Sequence, residues 1–137
     1  MNSTDDIRAI LTSVKTIAVV GWSPKTDRPS HSVARFLHAK GYHVIPVNPG
    51  QAGQDVGLSA PVAASLADIG RSVDMVDIFR RSEEVYGVVE EGLAIGAKVI
   101  WMQLGIEDSR AASLARAQGA KVVMNACPAI EIPRLGL

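Results

Sequence analysis

Cysteine is nearly absent: Cys127 stands alone among 137 residues. No disulfide and no cysteine zinc cluster can form within one chain, which suits a reducing compartment. Net charge is absent too, because 14 basic residues meet 14 acidic ones. Without a broad field of one sign, the chain has no general pull on nucleic acid or anionic lipid, although a small local cationic site stays open. No apolar run approaches membrane-spanning length. The start, MNSTDDIRAI, is acidic and lacks a basic region ahead of an apolar run, so it does not read as a signal peptide. These absences lead to the expectation of a soluble cytoplasmic protein with neither nucleic acid nor membrane as partner.

What the chain does have is apolar residues, 47% of the total, enough for one core, and residues 1–137 read as one domain. Ile7, Ile10, Leu11 and Val14 form one helical stripe, and Ser3 with Asp6 makes a capping box. Ile17 to Val20 reads as a strand. The next helix runs from about Ser30 to Lys40, with Val33, Phe36 and Leu37 inward and Gly41 as its stop. A second strand, His43 to Val47, ends at the turn Asn48-Pro49-Gly50. Residues 50–64 read as a loop with one short extended piece near Pro61-Val62, and Ser65 and Asp68 cap a short helical turn. The third strand spans Val73 to Phe79, and Ser82 caps a helix with the stripe Val85, Val88, Val89 and Gly92. A fourth strand, Lys98 to Gln103, precedes a helix from about Asp108 to Gln118 that stops at Gly119. Lys121 to Met124 is the fifth strand, and the tail from Ala126 to Leu137 carries two prolines and no period.

Strands alternate with helices and are almost wholly apolar, as strands covered on both faces are. The fold class is therefore α/β: a Rossmann-like, five-stranded, parallel, doubly wound sheet in a single three-layer domain. In such a sheet ligands lie across the carboxyl ends of the strands. Five segments meet at that edge: Gly21 to Ser30, Asn48-Pro49, Phe79-Arg80-Arg81, Gln103 to Gly105, and Asn125 to Pro128.

The first of these has the form of a phosphate cradle. A strand breaks at Gly21, and a loop with Lys25 and Arg28 leads into a helix N-terminus, whose free amides and dipole favour an anion. Ser23, Thr26 and Ser30 add hydroxyls, and Pro24 and Pro29 restrict the loop, so less order must be imposed on binding. A dinucleotide fingerprint would read G-x-G-x-x-G here, but Gly21-Trp22-Ser23-Pro24-Lys25-Thr26 lacks its second and third glycines. Asn48 stands where an acid would hold the ribose hydroxyls of NAD. The G-K-[ST] ending of a P-loop is also missing. The alternative for Lys25 and Arg28 is a solvated loop in which they touch only water.

The run IAVVGWSPKTDRPSHSVARFLHAKGYHVIPVNPG resembles the start of the small stand-alone CoA-binding proteins, which are themselves similar to the N-terminal CoA-binding domain of the succinyl-CoA synthetase α subunit. The resemblance continues through SLADI (65–69), VDMVDIFRR (73–81), GAKVIWMQLGI (96–106) and CPAIE (127–131). It implies coenzyme A (CoA) lying across the strand ends of a five-stranded Rossmann-like sheet. The family's C-terminal segment usually has a basic residue before the cysteine and a histidine after the glutamate; here those places hold Ala126 and Ile132. Nothing matches the ligase's phosphohistidine segment, so the resemblance implies binding and not ligase chemistry.

On this reading the CoA diphosphate lies over Gly21 to Ser30, held by loop amides, Lys25 and Arg28. Arg80 pairs with the 3′-phosphate while Arg81 is solvated. Phe79 either flanks the adenine or sits in the core, and Trp22 either packs or covers the ligand. Val47, Asn48 and Pro49 line the adenosine half, and Gln103 to Gly105 border the pantetheine arm. Cys127, beside Asn125 at the end of strand five, is either an inert buried cysteine or a partner for the CoA thiol in a mixed disulfide. His31, His38 and His43 share no metal-ligand spacing. Asp74 and Asp77 are acids in a covered strand and need partners. With no acid–base pair or nucleophile set recognisable, a non-catalytic carrier or sensor of CoA or an acyl-CoA is expected. The alternatives are an NAD(P)- or other nucleotide-dependent oxidoreductase, an acyl-CoA enzyme, and an interaction protein whose cleft is vestigial.

Overall fold

A computed structural model describes residues 2–137. It consists of α1 (Thr4–Ser13), β1 (Thr16–Val20), α2 (Pro29–Ala39), β2 (His43–Val47), β3 (Met75–Ile78), α3 (Val85–Ala94), β4 (Val99–Met102), α4 (Ser109–Ala117), β5 (Lys121–Val123) and α5 (Pro128–Arg134). Single 3₁₀ turns lie at Pro49–Gln51, Leu66–Asp68 and Ser82–Glu84. All strand pairs are parallel, in the order β2-β1-β3-β4-β5. This is the expected Rossmann-like sheet. The alternation of each strand divides the core between its faces. Ile17, Val19, Met75 and Trp101 pack with α1, α2 and α5, whereas Ala18, Val76, Ile78 and Ile100 pack with α3 and α4.

Local chemistry explains most boundaries. Ser3 and Asp6 close the capping box on α1, at 3.1 Å in each direction. Asp108 caps α4 by accepting the Ala111 N–H at 3.0 Å. Gly41 and Gly119 take positive φ just beyond α2 and α4, as helix stops do. The 50–64 segment is a loop whose one extended contact is a parallel bridge from Ala63 to Val47.

Several expectations are corrected. The tail is not aperiodic coil: α5 occupies residues 128–134 and buries Pro128 and Ile132. One i, i+4 pair is too short a stripe to show as a period, and Pro133 inside the helix argued against it. Pro128 sits at the first helical position, where its fixed φ favours the start and its missing N–H costs nothing. Ser82 does not cap α3, because a 3₁₀ turn intervenes; its hydroxyl instead accepts the Glu107 N–H at 3.4 Å. Ser65 does not cap its turn through the backbone but donates to Asp68 Oδ2 at 2.8 Å. α2 begins at Pro29, with Arg28 as its N-cap residue. β3 is shorter than expected and leaves Asp74 outside it, where its carboxylate accepts the N–H groups of Lys15 and Thr16 at 2.9 and 3.0 Å.

Candidate functional site

The strand order reverses between β1 and β3, so the chain leaves these neighbours toward opposite faces and a crevice opens above them. Gly21 follows β1 and Phe79 follows β3. A side chain at Gly21 would place its Cβ 2.4 Å from the Phe79 carbonyl oxygen, and its φ is +85°. Only glycine permits this approach.

The loop after Gly21 is wound on its own hydroxyls. Ser30 Oγ accepts the Ser23 N–H at 3.0 Å, and Ser23 Oγ accepts the Lys25 N–H at 3.2 Å. Each hydroxyl keeps its own proton to donate. The His31 ring contacts the Ser23 carbonyl through Nδ1 at 3.0 Å and stacks on Trp22. The result is a hollow of about 260 Å³, bordered by Gly21, Ser23, Lys25, Arg28, Ser30 and Phe79. Lys25 and Arg28 are exposed and join no ion pair among the described residues. The first turn of α2 holds no acid, so its positive end is uncompensated from within.

A larger cleft of about 550 Å³ adjoins this cradle, sharing Pro29 and Phe79 with it. Its walls are chiefly Leu104, Ile106 and Ile130, with Gln103 and Cys127 deeper in and Arg80 and Arg81 at one side. Both arginines border it, Arg81 largely exposed as expected and Arg80 less so. Both are paired: Arg80 Nε lies 3.2 Å from Glu84, and Arg81 lies 3.4 Å from Glu84 and 3.6 Å from Glu83. Phe79 is half-buried, packing against the core while facing both hollows.

Other expected residues lie beside the clefts rather than in them. Val47 is buried, and its carbonyl accepts the Gly21 and Trp22 N–H groups at 3.2 and 3.3 Å. Asn48 Nδ2 donates to the Trp22 carbonyl at 2.7 Å, while Oδ1 accepts the Gly50 N–H at 2.8 Å. Asn48 thus clamps the cradle to the β2 turn, and neither it, Val47 nor Pro49 borders either hollow. Trp22 is 2% exposed, so its side chain packs in the core, and its Nε1 has no partner. Pro24 is exposed in the loop. Asn125, at φ +55°, accepts the Gly105 N–H at 2.7 Å and ties the loops after β4 and β5 together outside the two hollows.

The structure adds a buried polar group behind the larger cleft. Asp77 has no exposed surface, and Gln103 Nε2 donates to both its oxygens, at 2.9 and 3.2 Å. Burial raises its pKa to about 7, with the Gln103 bond opposing. Burial also pushes the Cys127 thiol up; the Ala129 and Ile130 amides oppose this, the Asp77 charge adds to it, and Gln103 opposes it. A thiol so held is a weak nucleophile at neutral pH. Sequence reasoning missed Ile106 and Ile130 as lining residues; Pro29, Arg81 and Leu104 lay within segments expected at this edge, although Pro29 and Arg81 were not singled out for contact with a ligand. Ile130 had no visible periodic signal because α5 had none, whereas Ile106 adjoins the already suspected Gln103 to Gly105.

The sequence pattern described as "CoA binding domain" matches residues 15–133. The chain belongs to this CoA-binding domain family. The Bacillus subtilis (strain 168) protein YneT is 40% identical over 122 residues, 89% of this chain and 88% of that one. A solved structure of a hypothetical protein from Pyrococcus horikoshii OT3 is 35% identical and superposes with a TM-score of 0.92, covering 99% of this chain and 94% of the other. The family fold also recurs inside a larger enzyme. The dinucleotide-forming acetyl-coenzyme A synthetase 1 of Ca. Korarchaeum cryptofilum matches 79% of this chain with a TM-score of 0.66 and 24% identity, and this chain spans 25% of it. That likeness is one of fold alone. Among the described residues, no helix is long and apolar enough to cross a membrane.

Proposed function

We propose that the protein binds CoA or an acyl-CoA across the carboxyl ends of its sheet, as a non-catalytic carrier or sensor. The observation that carries this reading is the pairing of two unlike hollows at the switch point: a small cationic one and a larger apolar one with a shared wall. CoA has the same division, with a diphosphate in its middle and an uncharged arm on one side. The diphosphate rests in the cradle against Lys25, Arg28 and the Ser23 and Ser30 hydroxyls. Arg80 meets the 3′-phosphate after releasing Glu84, and the arm enters the larger cleft toward Gln103 and Cys127. Membership of the CoA-binding domain family supports the ligand class.

The cleft's own groups favour binding without turnover. Cys127 is held as a thiol, Asp77 is fully buried and bonds Gln103, and the arginines stay protonated and supply no base. No base stands ready to activate a nucleophile. The cytoplasm remains the proposed compartment.

Native mass spectrometry and calorimetry test the reading. Purified protein should carry a CoA species or bind added CoA, and retention of NAD or ATP instead would overturn the assignment. Replacing both Lys25 and Arg28 by alanine should weaken CoA binding by tenfold or more and flatten its dependence on salt, since each phosphate contact contributes to the slope. Unchanged titration curves at low and high salt would remove the diphosphate from the cradle.

A further inference from the structure

Leu104 and Ile130 are the two exposed large hydrophobic residues among those described, at 57% and 53% exposure, and both stand on the larger cleft. They come from separate elements, the loop after β4 and the middle of α5. α5 buries Pro128 and Ile132 on one face, so Ile130, two residues from each, projects from another. With Pro29, Phe79 and Ile106 they make a concave apolar surface of a size that takes small ligands. Few polar groups face its depth: Gln103 Nε2 is engaged by Asp77, and the two arginines stand at one side in exposed ion pairs. The pantetheine arm carries amides and a hydroxyl that need partners, so it alone does not account for walls this apolar. Hydrocarbon does.

We infer that this cleft seats an aliphatic acyl group carried as a CoA thioester, so the preferred ligand is a medium-chain acyl-CoA rather than free CoA. The inference rests on the CoA reading and narrows it. The shared Pro29 and Phe79 wall lets one molecule fill both hollows, with its phosphates in the cradle and its chain between Leu104 and Ile130.

Calorimetric titration of the full chain with CoA, acetyl-CoA, butyryl-CoA and octanoyl-CoA tests this. Fully burying a methylene is worth about fourfold in affinity, and an open cleft about half of that free energy, or roughly twofold. Affinity should therefore rise tenfold or more from acetyl to octanoyl. In Leu104→Asn and Ile130→Asn, the octanoyl-to-acetyl ratio should fall toward one, with the melting temperature of the unliganded protein as the check on folding. If CoA binds and chain length makes no difference, the acyl seat is wrong while the CoA reading stands. If no member of the series binds, the CoA reading itself fails. Sedimentation of the unliganded protein supplies the remaining arm. A dimer that either variant dissociates would make the cleft an interface between two copies and overturn the seat.

Discussion

Asp77 shows what one residue can hold. It sits fully buried in the central part of the sheet, with a single donor group, Gln103 Nε2, shared between two oxygens. Its pKa rises from 3.8 to about 7 because burial penalises the charge. An acid raised in the fold keeps a proton that the unfolded chain has released. Its contribution to stability therefore falls as pH climbs from about 4 to about 7, and the full cost applies above that. A shift of this size sets an upper bound of about 4 kcal/mol. Asp77→Asn should melt higher than the parent at pH 8 and nearly level with it at pH 4, as read by calorimetry across pH. An equal gain at both values would rule out titration of Asp77 as the cause. That an acid in a covered strand needs a partner was legible in the sequence. Which partner was not, because Gln103 lies just past the end of the neighbouring strand β4 and 26 positions away.

At the scale of elements, the join between β3 and α3 sets how the two arginines are paired. The expected Ser82 cap is replaced by a 3₁₀ turn, which presents Glu84 to Arg80 one helical turn away. The two acids and two arginines form a small exposed network, so the pairs are weak and readily exchanged. A ligand phosphate at Arg80 must displace Glu84. Glu84→Gln should therefore tighten CoA by a few-fold, and should do so less for dephospho-CoA, which lacks the 3′-phosphate. Equal effects on the two ligands would place the 3′-phosphate elsewhere. The sequence made the adjacent arginines visible, but not their glutamates' geometry, because that depends on the turn preceding α3. α5 was hidden for a related reason. Its helical state rests on burial of Pro128 and Ile132 against the core rather than on a repeating stripe.

For the whole molecule, binding and folding are linked. A ligand that joins only the folded chain stabilises it by mass action, about 2.7 kcal/mol at one hundred times its Kd. For a chain of this length that corresponds to a rise in melting temperature of roughly 10 °C. CoA at that excess should produce it in a thermal-shift assay. NAD at the same concentration should leave the melting temperature nearly unchanged, because the cradle lacks the second and third glycines of a dinucleotide loop and an acid at the end of β2. A larger shift with NAD would reverse the ligand order.

The sequence by itself determined the alternation of strands and helices, the parallel sheet, the cradle and the glycine at its start. These follow from local periodicity, capping and turn chemistry, which neighbouring residues encode. Only the tertiary structure decided that Val47 and Asn48 brace the cradle rather than line it, and that Asn125 ties down Gly105. It alone joined Asp77 to Gln103, and it alone brought Leu104 and Ile130 to one cleft. Those relations depend on which backbone and side-chain groups are already satisfied and on which loops converge at the carboxyl edge of the sheet. The packed sheet sets both, because it brings distant segments within bonding distance.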